Sequence, residues 1–163
     1  MDLPPDFREL LAEFARSGVE WVLVGGYAVA FHGRPRATKY IDLVLEGSAA
    51  NLERAADALA RFGAPSVVVE AVRRQAPDDI VYMGQPPLRV DFLRTIDGVD
   101  SASLVAHAVA AEIDGVPLRV IELSDLIANK RAVGRPQDVV DADFLERVRA
   151  RKAPTRKRKG GRG

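Results

Sequence analysis

The sequence predicts an α/β (α+β) domain, a mixed twisted sheet flanked by helices, with two further helices toward the C-terminus. Three observations carry this. Short apolar runs alternate with stretches of helical spacing, glycine or proline stands at nearly every junction, and an Asp-Gly hairpin signal comes late in the chain. At 163 residues, 47% hydrophobic and 29% charged, the chain suits one globular domain with a continuous core. Fibrous, disulfide-stapled and wholly disordered classes are excluded. With no cysteine there is neither a thiolate metal site nor a thiol nucleophile. The opening MDLPPDFREL lacks the pattern of a signal peptide, and no apolar run approaches the ~20 residues that span a bilayer, so the expectation is a soluble cytoplasmic protein without a membrane partner.

The elements follow in order. Phe7, Leu10, Leu11 and Phe14 recur at helical spacing, which predicts a helix over residues 6–16, entered through Pro4 and Pro5 and ended by Gly18. Residues 21–24, WVLV, read as a buried strand that runs into a tight turn at Gly25 and Gly26. Residues 27–32 suit a short helix closed by Gly33, residues 40–45 a strand, and residues 51–61 a helix capped by Ser48. Beyond Gly63, the stretches 66–70, 80–83 and 88–93 all look like strands, separated by Pro77, Gly84 and the Pro86-Pro87 pair. A helix is expected over residues 101–107, and Asp114-Gly115 joins strands 109–113 and 116–121 as a hairpin. Ser124 should cap a helix over residues 125–133 that stops at Gly134, and Pro136 opens the last helix, to about residue 150.

Net charge is only +1, but the balance is uneven. Residues 151–163 hold seven basic residues and no acid, whereas residues 1–150 hold 17 basic and 23 acidic residues, a formal charge of −6. The predicted organisation is an acidic folded domain over residues 1–150 and a basic tail over residues 151–163, disordered when free and suited to nucleic-acid phosphates. No aromatic is interleaved in the tail, so base stacking is not expected there.

The chemistry concentrates in residues 24–45, VGGYAVAFHGRPRATKYIDLVL. Side chains two apart on a strand share a face, so Tyr40 and Asp42 are co-facial, and Asp91 on a neighbouring strand can converge with them. Asp42 lies between Ile41 and Leu43, and Asp91 between Val90 and Phe92. A carboxylate in such a strand is costly unless compensated, which points to a metal or cationic ligand, with pairing to Arg89 or Arg36 as the structural alternative. Gly25 and Gly26 let backbone amides approach a phosphate, and the following helix start adds a favourable dipole. Arg36 as a fork and Lys130 as a point charge are candidate phosphate contacts. His32 reads as a helix C-terminal residue with a structural role. Asp138 and Asp141, at helical spacing, either pair with Arg131 or Arg135 or stand near a nucleotide.

Taken in order, Gly25-Gly26, His32-Gly33, RATKYID over residues 36–42, GQPPLRVDFL over 84–93 and LIANKRAVGRPQDVVD over 126–141 resemble the polymerase-β-type nucleotidyltransferase superfamily. More narrowly, they resemble the small bacterial nucleotidyltransferases related to AbiEii and AbiGii toxins. The likeness spans residues 21–145. It implies Mg2+- or Mn2+-dependent transfer of a nucleoside monophosphate from a nucleoside triphosphate to a hydroxyl, on RNA (a tRNA end) or on a protein, and a toxin–antitoxin partner. By that resemblance Asp42 and Asp91 are catalytic and hold metal, while Gly25, Gly26, Arg36, Thr38, Lys130 and Asp138 contact or shape the nucleotide site. One position departs from the pattern: Tyr40 stands where the family has the first carboxylate, the one that commonly bridges both metals. A phenol is neutral at physiological pH and a poor magnesium ligand, so this catalytic position is impaired. Glu46, four residues beyond Asp42, lies roughly 13 Å further along a straight strand and does not replace it. The rival reading is a catalytically inactive, nucleotide- or RNA-binding descendant, or a partner-binding component of a toxin–antitoxin pair.

Overall fold

The computed structural model describes residues 1–154, which form seven helices and one six-stranded mixed sheet. In chain order these are α1 (Pro5–Arg16), β1 (Trp21–Val24), α2 (Gly25–Phe31), β2 (Tyr40–Leu45), α3 (Ala49–Phe62), α4 (Ser66–Arg73), β3 (Val81–Met83), β4 (Arg89–Leu93), α5 (Ser101–His107), β5 (Val109–Ile113), β6 (Val116–Val120), α6 (Leu123–Val133) and α7 (Pro136–Lys152). Across the sheet the order is β3-β4-β2-β1-β6-β5. β2 runs parallel to β4 and β1 parallel to β6, while β1–β2, β3–β4 and β5–β6 are antiparallel. The predicted α/β class with a mixed sheet is therefore what the chain adopts.

Apolar spacing sets these positions. On α1, Phe7, Leu10, Leu11 and Phe14 form one buried stripe, and Phe14 meets Trp21 of β1 and Phe92 of β4 with ring centroids 6.4 and 6.1 Å away. Each such side chain contributes roughly 1.5–3 kcal/mol by leaving water. All four residues of β1 are buried, as a central strand covered on both faces requires. Ser48 caps α3 by accepting from the Asn51 amide, as expected. Asn51 itself is fully buried: its side chain accepts from the Glu20 amide and donates to the carbonyls of Glu20 and Glu46, tying the start of β1 to the end of β2.

Three expectations need correction or closer definition. Residues 66–70 belong to helix α4 and not to a strand. The valine run suggested β structure, but Pro65 starts a helix whose Val69 and Val72 face the core, and packing overrides propensity. Glu122, not Ser124, caps α6, because its carboxylate accepts from the amides of Ser124 and Asp125. The last helix runs on to Lys152, which takes in Arg151 and Lys152 of the predicted basic tail; the rest of that tail, from residue 155, lies outside the described residues.

Candidate active site

Strand register brings the candidate carboxylates together. Between parallel β2 and β4, Tyr40 faces Arg89 and Asp42 faces Asp91, while Tyr82 on β3 faces Asp91 from the other side. Alternation then places Tyr40, Asp42, Tyr82, Arg89 and Asp91 on one face of the sheet. On its other side Asp42 faces Val24 of β1, the last residue before Gly25 and Gly26.

The glycines are required by this crowding. Gly25 has φ +68°, and a Cβ there would collide with the Asp42 carboxylate. At Gly26 a Cβ would stand 2.9 Å from Thr38 Oγ1 and 3.8 Å from Arg36 Nε. Thr38 in turn donates to the Tyr40 carbonyl at 2.9 Å, which ties this loop to the start of β2. A cleft of about 510 Å³ opens beside the same loop, lined by Met1, Asp2, Tyr27, Ala30 and residues 35–38. Asp42 and Asp91 are not among its lining residues.

The two carboxylates differ in their surroundings. Asp91 is forked by Arg89, with Nε 2.6 Å from Oδ1 and Nη2 3.1 Å from Oδ2. That pairing, foreseen as the structural alternative for Asp91, raises the Arg89 pKa further and keeps its guanidinium charged. Burial, and then the charge of Asp91, push the Asp42 carboxyl up to about 6, against smaller opposing effects of Lys130, Arg89 and Arg135. Asp42 is thus a largely buried carboxylate with cations near it but without a dedicated partner among the described residues.

The same donor set shows what cation the site can take. Among the described residues no group of three or more His, Cys, Asp or Glu side chains stands together as a metal cage. Asp42, with Asp91 facing it, does fit one hard divalent cation whose remaining ligands are phosphate and water oxygens, as magnesium favours. A two-metal arrangement fits poorly, because Tyr40 supplies no carboxylate and both Asp91 oxygens already accept from Arg89.

Lys130 is enclosed by aspartates, and Asp138 meets Arg135, one of the pairings its spacing allowed. Lys130 is only 6% exposed, and its Nζ lies 2.9 Å from Asp138 and 3.4 Å from Asp141, so its ammonium is committed to two aspartates rather than open to a phosphate. Asp138 also accepts from Arg135, and fully buried Asp141 accepts from Arg34, Arg36 and Gln137. Arg131 instead pairs with Asp143. This buried cluster binds α6 and α7 to the loop that follows α2 and fixes Arg36 beside Gly26. His32, buried at the end of α2, makes a 2.7 Å hydrogen bond to the Ile121 carbonyl through Nε2, in keeping with a structural role. Glu46 binds the amide and hydroxyl of Ser48, away from the Asp42 pair. Sequence reasoning missed Tyr82 and Arg34. Arg34, next to the glycine-punctuated loop, carried a local signal; Tyr82 did not.

A family model described as "Nucleotidyl transferase of unknown function (DUF2204)" matches residues 5–159. Among solved structures, ANT(2")-Ia in complex with adenylyl-2"-tobramycin aligns at a TM-score of 0.52 and 17% identity, covering 89% of this chain and 93% of that one. JHP933 from Helicobacter pylori aligns at 0.48 and 14% identity, covering 87% of this chain, which spans 63% of the length of JHP933. The likeness to ANT(2")-Ia is one of fold. None of the curated proteins matches the chain.

Proposed function

The chain belongs to the nucleotidyl transferase family of unknown function that its residues 5–159 match, and on that premise we propose that it moves a nucleoside monophosphate from a nucleoside triphosphate to a hydroxyl at the Asp42–Asp91 face of the sheet. The observation that carries the reading is the register of Asp42 opposite Asp91, with Asp42 pressed against Gly25 and lacking a dedicated partner. In the reaction the acceptor oxygen bonds to the α-phosphorus, pyrophosphate leaves, and the hydroxyl proton passes to water. Gly25 and Gly26 shape the triphosphate site, Thr38 holds the loop, and Arg36, oriented by Asp141, meets phosphate oxygens. A bound Mg2+ or Mn2+, held at Asp42 beside the Arg89-paired Asp91, would neutralise phosphate charge. The resemblance of the motif order to AbiEii-related toxins supports an RNA end first among acceptors, with a protein hydroxyl second from the wider superfamily.

A second reading, a nucleotide- or RNA-binding descendant without transferase activity, draws on Tyr40 and on the Arg89 fork at Asp91. One experiment separates the two. Purified protein is incubated with each α-labelled nucleoside triphosphate, Mg2+ or Mn2+, and total RNA. Label should enter RNA or the protein itself and be lost in Asp42→Asn and Asp91→Asn. If the unmodified protein transfers nothing while the Tyr40→Asp, Arg89→Gln double variant does, the transferase reading falls and the binding-module reading stands.

A further inference from the structure

Arg89 is held in a way that no packing need explains. Its guanidinium carbon lies 4.9 Å from the centre of the Tyr40 ring and 4.6 Å from that of Tyr82, while its nitrogens fork Asp91. Two aromatic contacts and a bidentate ion pair fix the guanidinium's position and plane. The clamp also accounts for two large aromatics left in water, since Tyr40 is 38% and Tyr82 60% exposed on the face that carries the carboxylates. Tyr40 stands opposite Arg89 in the strand register, so a carboxylate there would compete with Asp91 for the guanidinium; a phenol instead leaves the fork wholly on Asp91.

We infer that Arg89, clamped by Tyr40 and Tyr82, is the resident counter-charge of this site: it occupies Asp91 in place of a metal ion and leaves Asp42 as the one open carboxylate, so that at most one divalent cation binds, and weakly. The inference rests on the reading of Asp42 and Asp91 as the reacting face. Its physical basis is charge. Asp42, Asp91 and Arg89 sum to −1, and divalent-cation affinity follows the number and charge of free carboxylate ligands. Arg89 is therefore a positioning residue that sets how much of the phosphate-neutralising work falls to the protein and how much to metal.

The test is cation binding without nucleotide. Mn2+ is titrated into the full chain by calorimetry, with electron paramagnetic resonance counting free ion. The unmodified protein should bind at most one ion weakly. Arg89→Gln, which frees Asp91, should bind at least about tenfold more tightly, with Arg89→Lys, keeping the charge but losing fork and stack, in between. Tyr40→Phe, which keeps the ring, should match the unmodified protein, whereas Tyr40→Leu should shift toward Arg89→Gln. A folded Arg89→Gln that binds Mn2+ no more tightly overturns the inference. So does the unmodified protein if the Nε–H resonance of Arg89 moves on saturation with Mg2+, because the metal then displaces the fork; this second measurement needs no variant to fold. Neither measurement involves group transfer. The predicted titration beside a dead transfer assay overturns only the transferase reading, and active transfer beside a failed titration overturns only this one.

Discussion

Asp141→Asn should cost the protein about 3 kcal/mol of stability and loosen Arg36 at the same time. Asp141 is fully buried, with Arg34 on one carboxylate oxygen, Arg36 on the other, Gln137 Nε2 at 3.1 Å and Lys130 Nζ at 3.4 Å. An amide in its place turns one acceptor oxygen into a donor that faces other donors. Removing one side of a buried ion pair costs about 3–5 kcal/mol when the remaining charge has no alternative. Here the remaining charges have alternatives: Arg34 and Arg36 are 26% and 27% exposed and can turn to water, and Lys130 keeps Asp138 at 2.9 Å. The lower end of the range follows. For a chain of this size that is a fall in Tm of about 10 °C. Urea unfolding gives the number, provided the slope against denaturant is unchanged. A loss below about 1 kcal/mol would mean that the cluster is not the clamp described. Lys130→Met is the companion measurement. A structural lysine predicts lost stability with nucleotide affinity little changed, and a phosphate-contact lysine predicts the reverse.

Three other substitutions probe the site and its frame. Gly25→Ala should cost clearly more than Gly18→Ala, although both glycines have φ +68°, because a Cβ meets nothing at Gly18 and the Asp42 carboxylate at Gly25; equal losses in thermal unfolding would contradict the close approach. Asp42 sets a pH dependence. With its carboxyl raised from 3.8 to about 6, the unfolded chain ionises first, so stability should fall by up to about 3 kcal/mol as pH rises from about 4 to 6 and stay lower above that. Asp42→Asn should remove that component of the slope and be more stable at pH 7, which parallel denaturation at both pH values checks. Asn51→Ala leaves the Glu46 carbonyl and the Glu20 amide without partners, while the Glu20 carbonyl keeps the Glu46 amide, and should cost about 3 kcal/mol by urea unfolding, where a loss under about 1 kcal/mol would show that water replaces the lost bonds.

How far the sequence could be read depended on whether a feature was local. α1, β1, β2, the Ser48 cap and the Asp114-Gly115 hairpin are written in spacing and turn chemistry within a few residues, and all appear in the fold. The co-facial placement of Tyr40 and Asp42 follows from strand alternation alone. Residues 66–73 misled because three consecutive valines favour a strand in isolation, while the helix depends on how α4 packs against α3 and β3. The surroundings of Lys130 were illegible for a related reason. A lysine on a helix is usually solvated, and only the three-dimensional meeting of α6 and α7 brings Asp138 and Asp141 around it. Tyr82 was illegible, since its relevance comes from the register of β3 against β4 and nothing in its own neighbourhood points to Arg89.

The Tyr40 departure cannot be undone at one position, and the strand register says why. Tyr40→Asp places a new carboxylate directly across from Arg89, one strand spacing away. The guanidinium, no longer stacked on that side, would then be shared between residues 40 and 91, so the new carboxylate arrives already neutralised in part. Arg89→Gln alone opens Asp91 but leaves only two carboxylates. Both changes together give three open carboxylates on one face. Mn2+ affinity should therefore rise more in the double variant than the two single changes predict when added, a coupling of about 1 kcal/mol or more in a double-mutant cycle. Strict additivity would mean that Tyr40 and Arg89 act independently, and the tyrosine would then be a simple loss at a metal position, not one half of a charge arrangement shared across two strands.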